Sequence, residues 1–196
     1  METSQGTALF LKRWLRRPLS MGAVVPSGRH LAQAMARATS DVMRGHNGHV
    51  VELGAGTGEV TRALLQSGIA PERLALVERD AELARFLRTH FPGPRTVEGD
   101  AMRLPDLLRE QGVAEVAAVV SSLPLLSLPA DVVDGIVRGI FAALPRGAAL
   151  VQFTYGPKPP VPRDLRDSLR LEGTRGRRIW RNVPPAVVWT FRIPQG

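Results

Sequence analysis

Three glycines at alternate positions, Gly54, Gly56 and Gly58, follow a short apolar run at His49–Leu53 and precede a helical pattern. Glycine lets the backbone turn tightly and approach a ligand with no Cβ in the way. The N-terminus of the following helix directs free N–H groups toward the same place. In parallel sheets, ligands bind at the carboxyl ends of the strands. The run therefore predicts a strand–loop–helix unit with a ligand crevice, within an α/β fold.

The rest of the chain continues this alternation of strand and helix patterns, which is typical of a parallel α/β sheet. The other predicted strands are Leu74–Glu78, Arg95–Glu98, Val116–Ser121 and Ala148–Thr154. The predicted helices between them are Glu59–Ser67, Ala81–Phe91, Pro105–Gln111 and Ala130–Leu144. After a proline-rich bend, we predict a short helix at Arg163–Leu171 and two strands at Arg177–Asn182 and Ala186–Ile193.

Length and composition narrow the functional classes. A chain of 196 residues with 44% hydrophobic residues suits one domain with a full core. The absence of cysteine excludes disulfides, thiolate metal sites and a cysteine nucleophile, and we predict no metal site. Every long apolar stretch is interrupted before the roughly 18 residues of a membrane span. The basic residues near the N-terminus follow the apolar ones, unlike in a secretory signal, so we expect a cytoplasmic protein.

The net charge of +8 is unevenly distributed. Residues 1–50 contain seven basic and two acidic side chains, and residues 157–196 contain nine and three. The intervening residues 51–156 are slightly acidic, with ten basic and thirteen acidic side chains. Two basic arms indicate a polyanionic partner, either nucleic acid or an anionic membrane surface. The alternative is a general preference for arginine, since the chain has 24 Arg and 2 Lys.

The glycine loop resembles the first motif of class I S-adenosylmethionine (SAM)-dependent methyltransferases. Its GxGxG spacing differs from the GxGxxG of dinucleotide-binding proteins, and the acid Glu52 lies two residues before the first glycine. The resemblance implies that Glu52 orders the loop and faces the methionine moiety of SAM. Glu78, at the end of the second strand, is placed to accept hydrogen bonds from ribose hydroxyls. Asp100, after the third strand, is placed for the adenine amino group.

Each of these acids has an ordinary alternative, as a solvated strand-end acid or a helix cap. Because the three acids lie at strand ends next to the glycine loop, together they predict a site for SAM and for its product S-adenosylhomocysteine. The predicted cofactor-binding residues are Glu52, Leu53, Gly54, Ala55, Gly56, Thr57, Gly58, Glu78, Arg79, Gly99, Asp100, Ala101 and Ser121.

The loop after the fourth strand, Ser121-Ser122-Leu123-Pro124-Leu125-Leu126, bears on the substrate. In amino-methyltransferases of nucleic acid this place has Asn or Asp, then a proline pair or similar, then an aromatic that stacks on the flipped base. Serine and leucine replace them here, and the lost stacking is worth about 1–3 kcal/mol per base. The loop therefore disfavours a nucleobase substrate. The alternative is an apolar loop that only packs on the core.

The N-terminal segment predicts an amphipathic helix that Pro18 ends. Its apolar arc consists of Phe10, Leu11, Trp14 and Leu15, and its basic arc of Lys12, Arg13, Arg16 and Arg17. A basic face opposite an aromatic and aliphatic face is typical of a helix that lies in a membrane interface. Each basic residue near an anionic surface contributes about 1 kcal/mol. The alternative is an ordinary surface helix packed on the domain.

Residues 21–32 predict a loop that leads into a helix capped by Ser27, before the first strand. We expect this segment to lie over the cofactor pocket as a lid. His30 is then either a polar contact in the pocket or a histidine on the helix surface.

Several strings together resemble the bacterial phospholipid N-methyltransferases that act on phosphatidylethanolamine. They are RPLSMGAVVPS at 17–27, VVELGAGTGEVTRALL at 50–65, VVSSLPLL at 119–126, QFTYGP at 152–157 and WRNVPPA at 180–186. The glycine-rich string at 50–65 is common to class I enzymes, whereas SSLPLL and QFTYGP are more specific to this family. The likeness covers nearly the whole chain. Ribosomal RNA adenine dimethyltransferases are easily confused with this family and remain the alternative.

The resemblance implies a Rossmann-like class I sheet, mostly parallel with a C-terminal antiparallel hairpin, with helices on both faces and an amphipathic N-terminal helix. We divide the chain into a membrane-binding and lid segment at 1–48 and a SAM-binding domain at 49–196. The implied reaction is stepwise methylation of phosphatidylethanolamine to phosphatidylcholine. The implied location is the inner face of the cell membrane, with peripheral attachment through anionic lipids. We expect a phospholipid substrate, no nucleic acid and no obligate protein partner.

Three residues are candidates for orienting the amine. Tyr155, the only tyrosine, ends the fifth strand and offers a hydroxyl and a ring that suits methylated ammonium groups. Ser121 or Ser122 is placed to accept a hydrogen bond from the amine. Tyr155 as an edge-of-core residue is the alternative. A non-catalytic SAM-sensing or lipid-binding module is a different class, which the intact cofactor acids and glycines disfavour.

Overall fold

The computed structural model describes residues 27–194. Its strands are β1 (His49–Leu53), β2 (Leu74–Glu78), β3 (Arg95–Glu98), β4 (Val116–Ser121), β5 (Ala149–Thr154), β6 (Glu172–Ile179) and β7 (Ala186–Arg192). Its α-helices are α1 (Ser27–Val42), α2 (Glu59–Gln66), α3 (Ala81–His90), α4 (Leu104–Glu110), α5 (Ala130–Ala143) and α6 (Arg163–Ser168). Short 3-10 turns lie at Pro71–Arg73, Ala101–Arg103 and Leu125–Ser127.

One seven-stranded sheet runs through the domain in the order β3-β2-β1-β4-β5-β7-β6. Strands β1 to β5 pair in parallel, and β7 lies antiparallel between β5 and β6. The predicted sheet, mostly parallel and closed by an antiparallel hairpin, is confirmed. Because β7 is antiparallel to both neighbours, β6 points in the same direction as β1 to β5. The carboxyl end of β6 therefore lies at the same edge of the sheet as the carboxyl ends of those strands.

Helices cover both faces of the sheet, as predicted. Helices α1, α2 and α3 pack on one face around Met35, Leu64 and Leu87. Helices α4, α5 and α6 pack on the other around Leu107 and Ile140. The central strands are buried on both faces, which explains their nearly continuous apolar sequences.

Helix α1 belongs to one of these cores. Its residues Leu31, Ala32, Met35 and Ala36 are buried, and it packs on α2 and the central strands. The part of the 1–48 segment from Ser27 onward is therefore continuous with the sheet domain. The predicted amphipathic helix at 10–17 and the loop that precedes α1 lie outside the described residues, so the division at residue 48 and the lid remain predictions.

The predicted bounds of the elements up to β5, and of β7, agree with the structure within one residue. Two predictions in the C-terminal region were wrong. Strand β6 begins at Glu172 and ends at Ile179, not Arg177–Asn182, and α6 ends at Ser168 rather than Leu171. As the exposed edge strand, β6 has no buried alternate face to produce a period-two pattern. Its backbone pairing with β7 defines it, and that pairing leaves no local signal in the sequence.

Candidate cofactor and substrate site

Four loops meet at the carboxyl edge of the sheet, where the strand order reverses between β1 and β4. Short backbone hydrogen bonds extend the ladder beyond the strands. Gly54 donates to Val77 across 2.9 Å, and Ser122 donates to Leu53 across 2.9 Å. Such a switch point is the usual ligand crevice of open α/β sheets. The structure thus brings together the loops after β1, β2, β3 and β4, which contain the predicted cofactor residues.

The glycine loop requires glycine for two separate reasons. Gly54, Gly56 and Gly58 all have positive φ, at 69°, 56° and 79°, a region that other residues rarely adopt. Gly58 is also crowded, because a Cβ there would lie 2.2 Å from Cε2 of Phe91. The loop residues Leu53, Ala55 and Thr57 complete this turn, and only Thr57 among them is exposed. The spacing therefore reflects a fixed turn packed on α3.

Glu78 joins the end of β2 to the glycine loop. Its carboxylate is buried, and its two oxygens accept hydrogen bonds from the backbone N–H groups of Gly56 and Asp80, each at 2.9 Å. A carboxylate has about four acceptor positions, so two remain for hydroxyl donors. The residues present therefore fit the ribose of SAM, and the ribose role of Glu78 remains a prediction.

Asp100 and Arg79 lie at the neighbouring strand ends. One Asp100 oxygen accepts from the Met102 backbone N–H at 3.0 Å, and the other lies 3.4 Å from the Arg79 guanidinium. Both side chains are 39% exposed, so this ion pair contributes little to stability. Gly99, which donates to Glu78, and the buried Ala101 flank the acid. Asp100 is thus a helix cap with an accessible carboxylate, and its adenine contact remains a prediction.

Glu52 has different surroundings. It is fully buried, and Thr61 of α2 donates its hydroxyl to Oε2 at 2.7 Å. Among the described residues, the other oxygen, Oε1, has no partner. Burial raises the pKa of this carboxyl to about 8, against the opposing effect of the Thr61 hydrogen bonds. The geometry suits a residue that ties the loop to α2, while the contact with the methionine moiety remains a prediction.

The loop after β4 is held by a residue that sequence reasoning did not assign to the site. Gln152 of β5 is fully buried and donates from Nε2 to the carbonyls of Leu123, at 2.9 Å, and Phe153, at 3.1 Å. Leu123 in turn lies against the glycine loop, 2.8 Å from where a Cβ on Gly54 would be. Ser121 is buried, and its Oγ accepts from the Leu123 N–H at 3.3 Å. The sequence did contain a sign of this role, because Gln152 is a polar residue inside the mostly apolar run of β5.

Tyr155 follows β5 directly and is 41% exposed at the same edge. Its ring packs edge-to-face on Phe153, with centroids 5.2 Å apart. Burial raises the pKa of its phenol, partly offset by the Asn182 side chain, so the hydroxyl stays protonated at neutral pH. Asn182, also missed from the sequence, is buried and donates to the Pro184 carbonyl at 2.7 Å. Tyr155 and the half-buried Ser122 thus follow the adjacent strands β5 and β4.

Two further observations concern residues 27–194 alone. Nowhere in this range do three or more His, Asp or Glu side chains group in a way that could hold a metal ion. No helix in the same range has the length and apolar character needed to cross a membrane.

Comparison with curated proteins shows a lipid-modifying relative and several RNA-modifying ones. The chain is 30% identical over 152 residues to the ornithine lipid N-methyltransferase of Singulisphaera acidiphila, covering 76% of this chain and 78% of that protein. It is 34% identical over 153 residues to ribosomal RNA small subunit methyltransferase A of Anaeromyxobacter sp. strain K. That match covers 71% of this chain but 52% of the longer relative. No protein-family model matches the chain.

Solved structures share the fold at low sequence identity. The 1,6-didemethyltoxoflavin-N1-methyltransferase of Burkholderia thailandensis, solved with S-adenosylhomocysteine, aligns with a TM-score of 0.70 and 15% identity. The alignment covers the whole of this chain and 92% of that one. The glycopeptide N-methyltransferase MtfA, solved with SAM, aligns with a TM-score of 0.61 and 13% identity, covering 83% and 94% of the two chains. These likenesses concern the fold.

Proposed function

The chain belongs to the bacterial lipid N-methyltransferases, a family of class I SAM-dependent enzymes, and on this basis we propose that it methylates the amine of phosphatidylethanolamine. The monomethyl and dimethyl products are the next substrates, and phosphatidylcholine is the end product. SAM supplies an electrophilic methyl group on a sulfonium. The family assignment rests on the similarity to the ornithine lipid N-methyltransferase, whereas phosphatidylethanolamine as the substrate is our proposal.

The loop after β4 is the observation that best supports a lipid over a nucleobase. Leu125 in this loop is buried, Leu126 is exposed, and neither offers an aromatic face on which a base could stack. Ser122 takes the place of the amide or acid that would bind a base amino group. A flexible aliphatic amine needs no stacking platform, so the loop suits a lipid headgroup.

The described residues can align the amine without a fixed base. Methyl transfer is an in-line displacement, for which positioning alone supplies much of the rate. We assign the Tyr155 hydroxyl and the Ser122 hydroxyl to orienting the amine, and the Tyr155 ring to contacting its methylated forms. Tyr155 is a protonated phenol at neutral pH, so it does not take the ammonium proton. Removing the headgroup from water favours the neutral amine, which releases its proton to solvent.

The membrane part of the proposal rests on the sequence. We assign residues 10–17 to peripheral attachment at an anionic membrane surface, on the cytoplasmic side where SAM is made available. This segment lies outside the described residues, and its role is tested separately below.

Ribosomal RNA adenine N6-methylation is the second candidate, because several relatives modify ribosomal RNA and the chain has two basic arms. An ornithine lipid is a third possible acceptor, suggested by the relative that methylates it. The three substrates differ in chemistry around the amine: a phosphodiester, a nucleobase and an amino-acid headgroup.

The test is a transfer assay with methyl-labelled SAM and three acceptors in parallel. They are vesicles of phosphatidylethanolamine with phosphatidylglycerol, vesicles in which ornithine lipid replaces phosphatidylethanolamine, and unmethylated ribosomal RNA. We expect label in phosphatidylethanolamine and its methylated products. Label only in ornithine lipid would retain the family but exclude our headgroup, and label only in RNA would exclude a lipid acceptor.

A further inference from the structure

A groove of about 560 Å³ lies between α1 and the end of β6, outside the cofactor crevice. Its lining includes Gln33 and Arg37 from α1, and Arg178, Trp180 and Arg181 from the C-terminal region. We propose that this groove and the adjoining turn at 180–185 form a second membrane contact, which binds the phosphodiester groups of phospholipids. The proposal rests on the proposed function, since it presumes a phospholipid substrate.

The position of this surface follows from the sheet. Strand β6 ends at the same edge as β1 to β5, so the turn at 180–185 lies at the edge of the sheet that contains the cofactor loops. Asn182 in this turn interacts with the phenol of Tyr155. A membrane in contact with the turn would therefore lie next to the residue that we assign to the amine.

The charge of the surface suits phosphate. Neither residues 27–40 nor residues 173–193 contain an acid. Elsewhere in the described residues, eight arginines lie within 4.0 Å of a carboxylate. Among the described residues, the groove arginines Arg37, Arg178 and Arg181 have no carboxylate within that distance. Guanidinium groups that are not neutralised bind phosphate through paired N–H donors.

The apolar residues of the turn favour a membrane over RNA. Trp180 is 69% exposed and Val183 is 75% exposed, and both lie in the same turn as Arg181. The Arg178 guanidinium lies 4.5 Å from the centre of the Trp180 ring, so one ring face is covered and less available for a base. Tryptophan is enriched at membrane interfaces, where its ring meets both chains and headgroups. The exposed Val183 in the same turn has an apolar partner in a bilayer and none in an RNA backbone.

The test uses full-length protein with Trp14→Phe, so that the remaining tryptophans are the exposed Trp180 and the buried Trp189. We expect vesicles of phosphatidylethanolamine and phosphatidylglycerol to shift the emission to the blue, and brominated acyl chains to quench it. In the same background, R178Q with R181Q should raise the lipid concentration for half-binding about 30-fold, at about fivefold per charge. The control R146Q removes an exposed arginine beside the start of β5, at the opposite edge, and should leave binding unchanged.

Methylation of phosphatidylethanolamine in detergent micelles separates the two proposals. If the Trp14→Phe protein methylates lipid but its emission is neither shifted nor quenched by vesicles, the second contact is excluded and the function stands. Weakening of about fivefold by R146Q, the same per charge as in the double variant, would reduce the effect to net charge and would also exclude the site. Emission changes with RNA and none with vesicles would overturn the membrane assignment. Label in RNA alone in the transfer assay would overturn the function itself.

Discussion

The carboxylate of Glu78 accepts a hydrogen bond from the backbone N–H of Gly56, with 2.9 Å between the nitrogen and Oε2. The acid that we expect to bind the ribose therefore also holds the glycine loop in place, across two adjacent strands. Because the same carboxylate receives the Asp80 N–H, it joins the glycine loop to the turn that follows β2. Its loss should affect cofactor binding more than its two predicted ribose contacts alone would suggest.

Replacing Glu78 with Ala should weaken SAM binding by at least about tenfold, since hydrogen bonds to charged groups contribute about 1.5–3 kcal/mol each. Isothermal titration calorimetry measures the change directly. Glu98→Ala is the matched control, because Glu98 pairs with Glu78 in register but is exposed beside Arg88. Unchanged affinity in a folded Glu78→Ala protein would exclude Glu78 from the cofactor site.

Gly58→Ala should destabilise the fold by about 2–4 kcal/mol, because it combines left-handed strain with overpacking. The new Cβ would lie 2.2 Å from the Phe91 ring at a φ of 79°. Gly68→Ala isolates the strain, since Gly68 has a φ of 94° with open space around it. Urea denaturation of both proteins compares them, and equal losses would show that the Phe91 contact has no part in requiring glycine.

Glu52 should make stability fall as the pH rises. Burial raises its folded-state pKa from 4.5 to about 8, so the folded chain retains a proton that the unfolded chain has lost. Relative to a variant with no titrating group, stability should be highest below about pH 4.5 and should decline until about pH 8. Above that pH, the carboxyl is ionised in both states and the contribution is gone.

Glu52→Gln removes this dependence, because an amide resembles the protonated carboxyl and still accepts from Thr61. We expect the free energy of unfolding of the wild type, minus that of the variant, to fall by a few kcal/mol between pH 5 and pH 8. Urea titrations at several pH values provide the curve. A difference independent of pH would mean that the pKa of Glu52 is the same in the folded and unfolded chains, and that water reaches its carboxyl in the folded protein.

The sequence was sufficient for the central sheet because buried strands and amphipathic helices have local patterns. The runs of β1, β2 and β4 are mostly apolar, and a glycine, an acid or a serine lies where each reaches the crevice. Strand β6 has no such pattern, since seven of its eight residues are exposed and its extended form depends on β7. Its glycines suit close packing on β7, because a Cβ on Gly173 would lie 2.7 Å from the Phe191 ring and one on Gly176 would lie 2.8 Å from the Val188 carbonyl oxygen.

The candidate site was only partly predictable for a similar reason. Motif residues such as Gly54, Glu78 and Asp100 are close in sequence to strand ends, and the sheet brings them together. Their supporting partners come from elsewhere in the chain. Gln152 reaches the loop of Leu123 because β5 pairs with β4, and Asn182 reaches Tyr155 because β7 pairs with β5. Such partners depend on strand order, which no local pattern specifies.

Tyr155→Phe should lower kcat/KM for phosphatidylethanolamine by about tenfold, the cost of about one hydrogen bond to the amine. Tyr155→Leu should lower it further, especially for the dimethyl substrate, because the ring that contacts the methylated ammonium is lost as well. Steady-state rates with each lipid in mixed micelles, at equal SAM occupancy, distinguish the two effects. Unchanged rates for Tyr155→Phe would remove the hydroxyl from the mechanism, and equal rates for all lipids in Tyr155→Leu would remove the ring.

Deletion of residues 1–17 should abolish most binding to anionic vesicles while leaving SAM affinity unchanged. The deleted segment contains four basic residues, Lys12, Arg13, Arg16 and Arg17, and each is worth about 1 kcal/mol near an anionic surface. Vesicle flotation with increasing phosphatidylglycerol measures the binding, and calorimetry measures the SAM affinity. Replacing Phe10 and Trp14 with Ser retains the charges and should weaken binding by removing the apolar contribution alone. If the deletion leaves flotation intact, the predicted N-terminal helix is not the membrane anchor, and attachment must come from the folded domain.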